Sequence, residues 1–160
     1  MSEPLVQGKW YEDFVVGEEL ISAGRTVGEG AIDQFAGLTG DFSQVHTDAQ
    51  MMRESEFGER IAHGLFSLSI MQGLMWRTNY TQGTGVATIG WDKLKFVAPV
   101  KIGDTVRARW TIKEKRLSKS RPHLGIIVEE CRLVNQRGET VLTGEHATMV
   151  RRKPGASSKA

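Results

Sequence analysis

The chain has 160 residues, 39% hydrophobic and 25% charged, the balance of a soluble packed domain and not of a disordered, collagen-like or membrane protein. Lys and Arg number 21 against 19 Asp and Glu, and the net charge of +2 is too small to argue for nucleic-acid binding from bulk electrostatics. A single cysteine, Cys131, excludes an intrachain disulfide and cannot by itself supply a zinc site.

In chain order, Met1 to Gln7 shows no basic stretch leading into an apolar run, so no secretory signal is read. No run approaches the ~18 apolar residues of a membrane span, and a cytoplasmic location is expected. Glu19 to Val27 reads as a strand. From Glu29 to Gly37 the apolar residues Ala31, Ile32, Phe35 and Ala36 recur at helical spacing, with Gly37 and Gly40 as the stop. Thr47 to Glu54 offers capping side chains and a brief helical run. Gly64 to Trp76 is apolar on every face, which predicts a buried central helix too short to cross a bilayer.

Beyond Val86 the period falls to two. Four long strands are predicted, at Thr84 to Phe96, Thr105 to Leu117, His123 to Asn135 and Thr140 to Arg151, with turns at Gly103-Asp104 and Arg137-Gly138. Strands in series joined by short loops imply an antiparallel meander. In the second, Val106, Ala108, Trp110 and Ile112 alternate with Arg107, Arg109, Thr111 and Lys113, giving one apolar and one wet face. Cys131, in the alternating stretch Ile126 to Val134, reads as a small core residue. The sequon Asn79-Tyr80-Thr81 is read as chance. The reading is one α+β domain over residues 1–152, an antiparallel sheet around a central helix, with residues 153–160 as a frayed tail. Open sheet edges make a homodimer the minimal expectation.

The polar, glycine-containing segment Phe35 to Asp48 lies on a loop between two predicted helices, where functional groups concentrate. Asp41 and His46 are close enough for a tight loop to aim both at one point. Spacing alone equally allows Asp41 to cap a turn and His46 to help cap the next helix. Ile61-Ala62-His63-Gly64 precedes the buried helix, whose first N–H groups can face a developing oxyanion; these residues can also simply start the helix.

Gly40, Asp41 and His46, followed by Ala62-His63-Gly64, resemble the signature of the MaoC-like dehydratases and R-specific enoyl-CoA hydratases, Gly-Asp-x-Asn-Pro-x-His with a later Ala-His-Gly. Tyr11 to Gly17 and Phe96 to Thr105 are similar to further blocks of that family, so the resemblance spans nearly the whole chain. It implies the hot-dog fold and reversible syn addition of water to a trans-2-enoyl thioester, giving an (R)-3-hydroxyacyl product. His46 and Asp41 would be the acid/base pair, and the Gly64 N–H the oxyanion donor. The substrate would carry coenzyme A or an acyl-carrier protein, with no separate cofactor and no metal. Ser43-Gln44 stand where the family has Asn-Pro; the Asn helps to place the catalytic water, and Ser43 offers a shorter hydroxyl. His63, Leu65, Leu68 and Gln72 are candidates for substrate contact. The basic cluster Lys113, Lys115, Arg116, Lys119 and Arg121 could meet phosphates, Lys119 and Arg121 above all. A non-catalytic hot-dog subunit and a thioesterase on the same fold are the alternatives.

Overall fold

The computed structural model describes residues 7–156; residues 1–6 and 157–160, where parts of the N-terminal and tail expectations fall, lie outside the described residues. A 3-10 turn at Tyr11–Asp13 leads into β1 (Glu19–Ile21) and β2 (Arg25–Thr26). Then come α1 (Glu29–Thr39), α2 (Gln44–Thr47), α3 (Ala49–Arg53) and the central helix α4 (Gly64–Trp76). Four long strands complete the chain: β3 (Gly85–Phe96), β4 (Thr105–Leu117), β5 (Leu124–Val134) and β6 (Thr140–Arg151).

The six strands form one sheet ordered β1-β4-β5-β6-β3, with β2 also on β4, and every pairing is antiparallel. Only β4, β5 and β6 form the expected meander. β3 pairs with β6 and not with β4, so residues 97–104 must cross three strand spacings, roughly 14 Å. An eight-residue link reaches that comfortably, since extended chain covers about 3.3 Å per residue. On its way the link bonds the approach to α4: Ala62 N–H donates to the Val100 carbonyl at 2.8 Å, and Ile61 bridges Lys101. The crossover thus fixes the start of the central helix.

The sheet curls around α4, the hot-dog architecture expected. Ile70, Met71, Leu74 and Met75 of the helix are buried against the apolar face of β4 (Val106, Ala108, Trp110, Ile112) and against Ile127, Cys131 and Leu133 of β5. Each such side chain removed from water is worth about 1.5–3 kcal/mol. Burial and the neighbouring Glu129 push the Cys131 thiol far up, as a core thiol requires. One expectation about α4 is corrected: it is not covered all round, because Leu65 is 62% and Trp76 48% exposed on one stripe.

Smaller departures have local causes. The expected strand Glu19 to Val27 is split into β1 and β2, with the Ser22 N–H and hydroxyl both used between them on Ala108 and Ala23. Helix α1 runs through Gly37 and stops at Gly40, which takes φ +78° and donates to the Ala36 carbonyl. The helical run expected from Thr47 breaks into α2 and α3 because Asp48 is extended and caps α3, accepting from the Met51 N–H. Lys153 is not frayed: its N–H and ammonium bind Glu12 and Asp13. Among the described residues no helix is long and apolar enough to cross a membrane.

Candidate functional site

The α1–α2 loop carries the first half of the site. After the Gly40 cap, the Asp41 N–H donates to the Thr39 hydroxyl and the Asp41 carboxylate accepts from the Ser43 N–H, both at 3.3 Å. Ser43 precedes α2 without capping it by its side chain, and its carbonyl accepts from the His46 N–H at 2.9 Å. Gln44 occupies the first position of α2, where a proline would be tolerated because no intrahelical bond is asked of that N–H. The loop holds its shape without it, through the Thr47 hydroxyl bonding the Phe42 and Ser43 carbonyls.

His46 leaves this loop with its ring fixed. Nδ1 lies 2.8 Å from the Ile61 carbonyl; since a carbonyl only accepts, Nδ1 is the donor, and in the neutral ring Nε2 is the nitrogen with the lone pair. The Asp41 carboxylate, a His46 ring nitrogen and a His63 ring nitrogen all lie within 4.8 Å of one another. These three are the groups that could hold a metal ion, although one nitrogen of each ring is already engaged by a carbonyl. His63 immediately precedes α4, and Gly64 is the first helical residue, so the Gly64 N–H has no partner within the helix.

A cavity of about 400 Å³ opens at this point, lined by His46 and Gly64 together with apolar walls from Phe57, Phe96, Val97, Val100 and Val141. Gly64 is required by space: a Cβ there would stand 2.9 Å from the Phe96 ring. Buried Arg60 braces the site from behind, paired with Glu29 and Asp33 of α1 and donating to the His46 carbonyl at 3.4 Å.

Asp41, Ser43, His46, His63 and Gly64 are therefore brought together, and the other expected site residues are not. Leu65 faces outward and Leu68 packs on the core. Gln72 lines a separate cavity of about 110 Å³ with Trp76, Thr88 and His146. Lys119 and Arg121 lie between β4 and β5, near the end of β6 that pairs with Leu124. The cavity at His46 touches the other end of β6, at Val141, some 30 Å away at 3.3 Å per residue. The remaining members of that basic cluster are engaged locally: Lys113 with Glu145, Lys115 on the Phe14 carbonyl, and Arg116 with Glu114. Arg60, Phe57 and the Ile61 carbonyl were not anticipated. A carbonyl has no side-chain signature, and an arginine just before Ile61 announces no partner on a helix some thirty residues earlier.

A sheet curled on one helix, with carboxylate, imidazole and a helix N-terminus meeting beside an apolar cavity, defines a hot-dog domain with a polar cluster at the start of its central helix. The model of the MaoC-like domain matches residues 13–130, and the chain belongs to that family. Protein MaoC of Klebsiella aerogenes is 37% identical over 113 residues, covering 71% of this chain and 33% of that protein; the chain thus spans about a third of that relative. The (R)-specific enoyl-CoA hydratase of Rhodospirillum rubrum is 34% identical over 103 residues, 64% of this chain and 69% of that one. Among solved structures, a monoamine oxidase regulatory protein from Archaeoglobus fulgius superposes with a TM-score of 0.85 at 32% identity, covering 92% of this chain and 97% of the other.

Proposed function

We propose that the protein is an acyl-thioester hydratase or dehydratase that adds water reversibly to a trans-2-enoyl-CoA, or its acyl-carrier-protein counterpart, to give an (R)-3-hydroxyacyl thioester. The observation that carries the reading is the oriented His46, its Nδ1–H on the Ile61 carbonyl and its Nε2 free, with the Asp41 carboxylate within 4.8 Å and Gly64 beside it. Kinship to the Rhodospirillum rubrum hydratase supports it.

In the hydration direction, His46 Nε2 takes a proton from the water as its oxygen bonds the β-carbon. Asp41 holds the same water and relays the proton collected on His46 Nε2 to the α-carbon, the water's other hydrogen staying on the new hydroxyl, so both residues end as they began. The Gly64 N–H binds the thioester oxygen while enolate character develops. Imidazole suits this because it takes and returns a proton near neutral pH at little cost. One oxyanion donor is worth on the order of 3 kcal/mol of barrier. The chemistry proposed draws on no group besides these residues and the thioester itself. The apolar walls at Phe57, Phe96, Val97 and Val141 suit an acyl chain. A homodimer formed through the open β3 edge completes the proposal.

The test is loss of enoyl-thioester absorbance with crotonyl-CoA and a panel of longer, branched and dicarboxylic enoyl-CoAs. Turnover is expected in the wild type, with a fall of at least ~100-fold in Asp41→Asn and in His46→Gln. An inactive wild type across the panel supports the non-catalytic subunit instead.

A further inference from the structure

His63 was expected to touch substrate. Its ring is otherwise occupied. It is 2% exposed, and its Nε2 lies 3.0 Å from the Asp41 main-chain carbonyl, to which it donates. Its ring stacks on His46, with centroids 3.8 Å apart and planes at 29°, and Phe35 packs on it at 5.1 Å. It stands at the N-cap of α4 yet makes no side-chain cap bond there; only its carbonyl serves the helix, accepting from the Ser67 N–H at 3.0 Å. Its Nδ1 is buried with no hydrogen-bond partner. Nε2 therefore carries the proton of this bond, and Nδ1 makes no hydrogen bond of its own.

We propose that His63 is a positioning residue that fastens the Asp41 loop to the start of α4 and holds the His46 ring flat, so that carboxylate, base and oxyanion donor are kept in register as one unit. Each part of the geometry serves this. The bond to the Asp41 carbonyl pins the backbone from which the carboxylate projects, and the stack blocks rotation of His46 out of the plane set by Ile61. The peptide that follows His63 is the one whose N–H belongs to Gly64. The segment Ile61 to Gly64 thus touches all three groups: the Ile61 carbonyl orients His46, His63 orients Asp41 and His46, and Gly64 supplies the donor. A misplacement near 1 Å costs about 100-fold in rate, so a residue that never meets the reacting atoms can still control turnover. The inference rests on the hydratase reading of Asp41 and His46.

The experiment uses the full chain, with crotonyl-CoA as substrate and long-range proton–nitrogen NMR of the histidine rings. His63→Phe keeps a ring to stack and loses the donor; His63→Gln keeps a donor and loses the ring. Both are expected to lower kcat roughly 10- to 100-fold with KM within about threefold, the pattern of lost alignment and not of lost binding. In the wild type the His63 ring should show the proton on Nε2, and in both variants the His46 ring signals should shift or broaden. A wild-type His63 with its proton on Nδ1 overturns the proposal and needs no variant to fold. Unchanged kcat in both variants, or a raised KM at constant kcat, overturns it as well, the latter returning His63 to substrate contact. If the wild type is inactive and Asp41→Asn changes nothing, the hydratase reading fails, and the ring spectra still decide whether His63 holds His46.

Discussion

Gly64 shows how a single residue can place stability and activity in opposition. It opens α4, where an alanine would be the better helix former by up to about 1 kcal/mol, yet a Cβ there meets the Phe96 ring at 2.9 Å. Phe96 is 52% exposed and lines the cavity, so a ring displaced by that Cβ changes the cavity wall. Gly64→Ala should therefore change the unfolding free energy by no more than ~1 kcal/mol while turnover falls at least ~10-fold. Adding Phe96→Ala should restore part of the rate. Equal activity in wild type and Gly64→Ala would show that the approach to this backbone is not what limits the reaction. That Asp41, His46 and Gly64 would lie close together was legible from the family-like pattern around them, since spacing alone left Asp41 and His46 equally readable as turn and helix caps. Leu65, Leu68 and Gln72 were misplaced because an apolar list on a helix does not say which stripe faces a cavity. The walls come instead from Phe57, from residues 96–100 and from Val141, loop positions and strand ends that a periodic pattern does not assign to a cavity.

The turn between residues 101 and 104 ties the crossover to the head of β4, and it is built around one carboxylate. Gly103 takes φ +89°, open to glycine without strain. Asp104 accepts from the Lys101 N–H at 3.0 Å, from Gln136 at 2.7 Å and from Arg137 at 3.1 Å. Burial works to raise the Asp104 carboxyl, but these donors outweigh it and hold the group below its ordinary value. A carboxyl lowered on folding adds stability that is fully present above its unfolded value, near 4, and is lost as the pH falls through the lower folded one. Asp104→Asn should thus be less stable by ~1.5–3 kcal/mol at pH 7. The gap should narrow once the pH drops below about 4, read from urea unfolding at fixed protein concentration. A gap constant down to pH 3 would show that the charge is not its source. Long strands and their turns were legible because the two-residue period is strong from Val86 onward. The partner of β3 was not: pairing order is set by where an eight-residue link crosses, and both sides of that crossing look alike in sequence.

Scaled up to the whole molecule, the unanswered surface is the β3 edge and the stripe of α4 beside it. Among the described residues β3 bonds β6 on one side only, leaving a row of N–H and C=O groups without strand partners on the other. Its register is broken by three irregularities, between Gly85 and Ala87, Thr88 and Gly90, and Asp92 and Lys95, which shape the edge without covering it. Ile89 is 51% exposed in mid-strand, and Leu65 and Trp76 stand open on the neighbouring helix. Apolar groups next to an unpaired edge are what a second copy would cover, strand on strand and helix on helix, in a two-fold arrangement. A stable pairing needs roughly 1,200–2,000 Å² of total buried surface, and a twelve-residue strand with a flanking helix is long enough to supply it. Light scattering or sedimentation equilibrium should give twice the 17.8 kDa chain mass. Ile89→Lys, which places a charge on that edge, should move the equilibrium toward single chains, and Trp76→Glu should do the same from the helix side. Because His46 and Gly64 sit at the Phe96 end of this strand, monomer-forming variants should also lose activity as protein concentration falls. A wild type that sediments as one chain at micromolar concentration would remove the dimer from the proposal and leave the β3 edge to another partner.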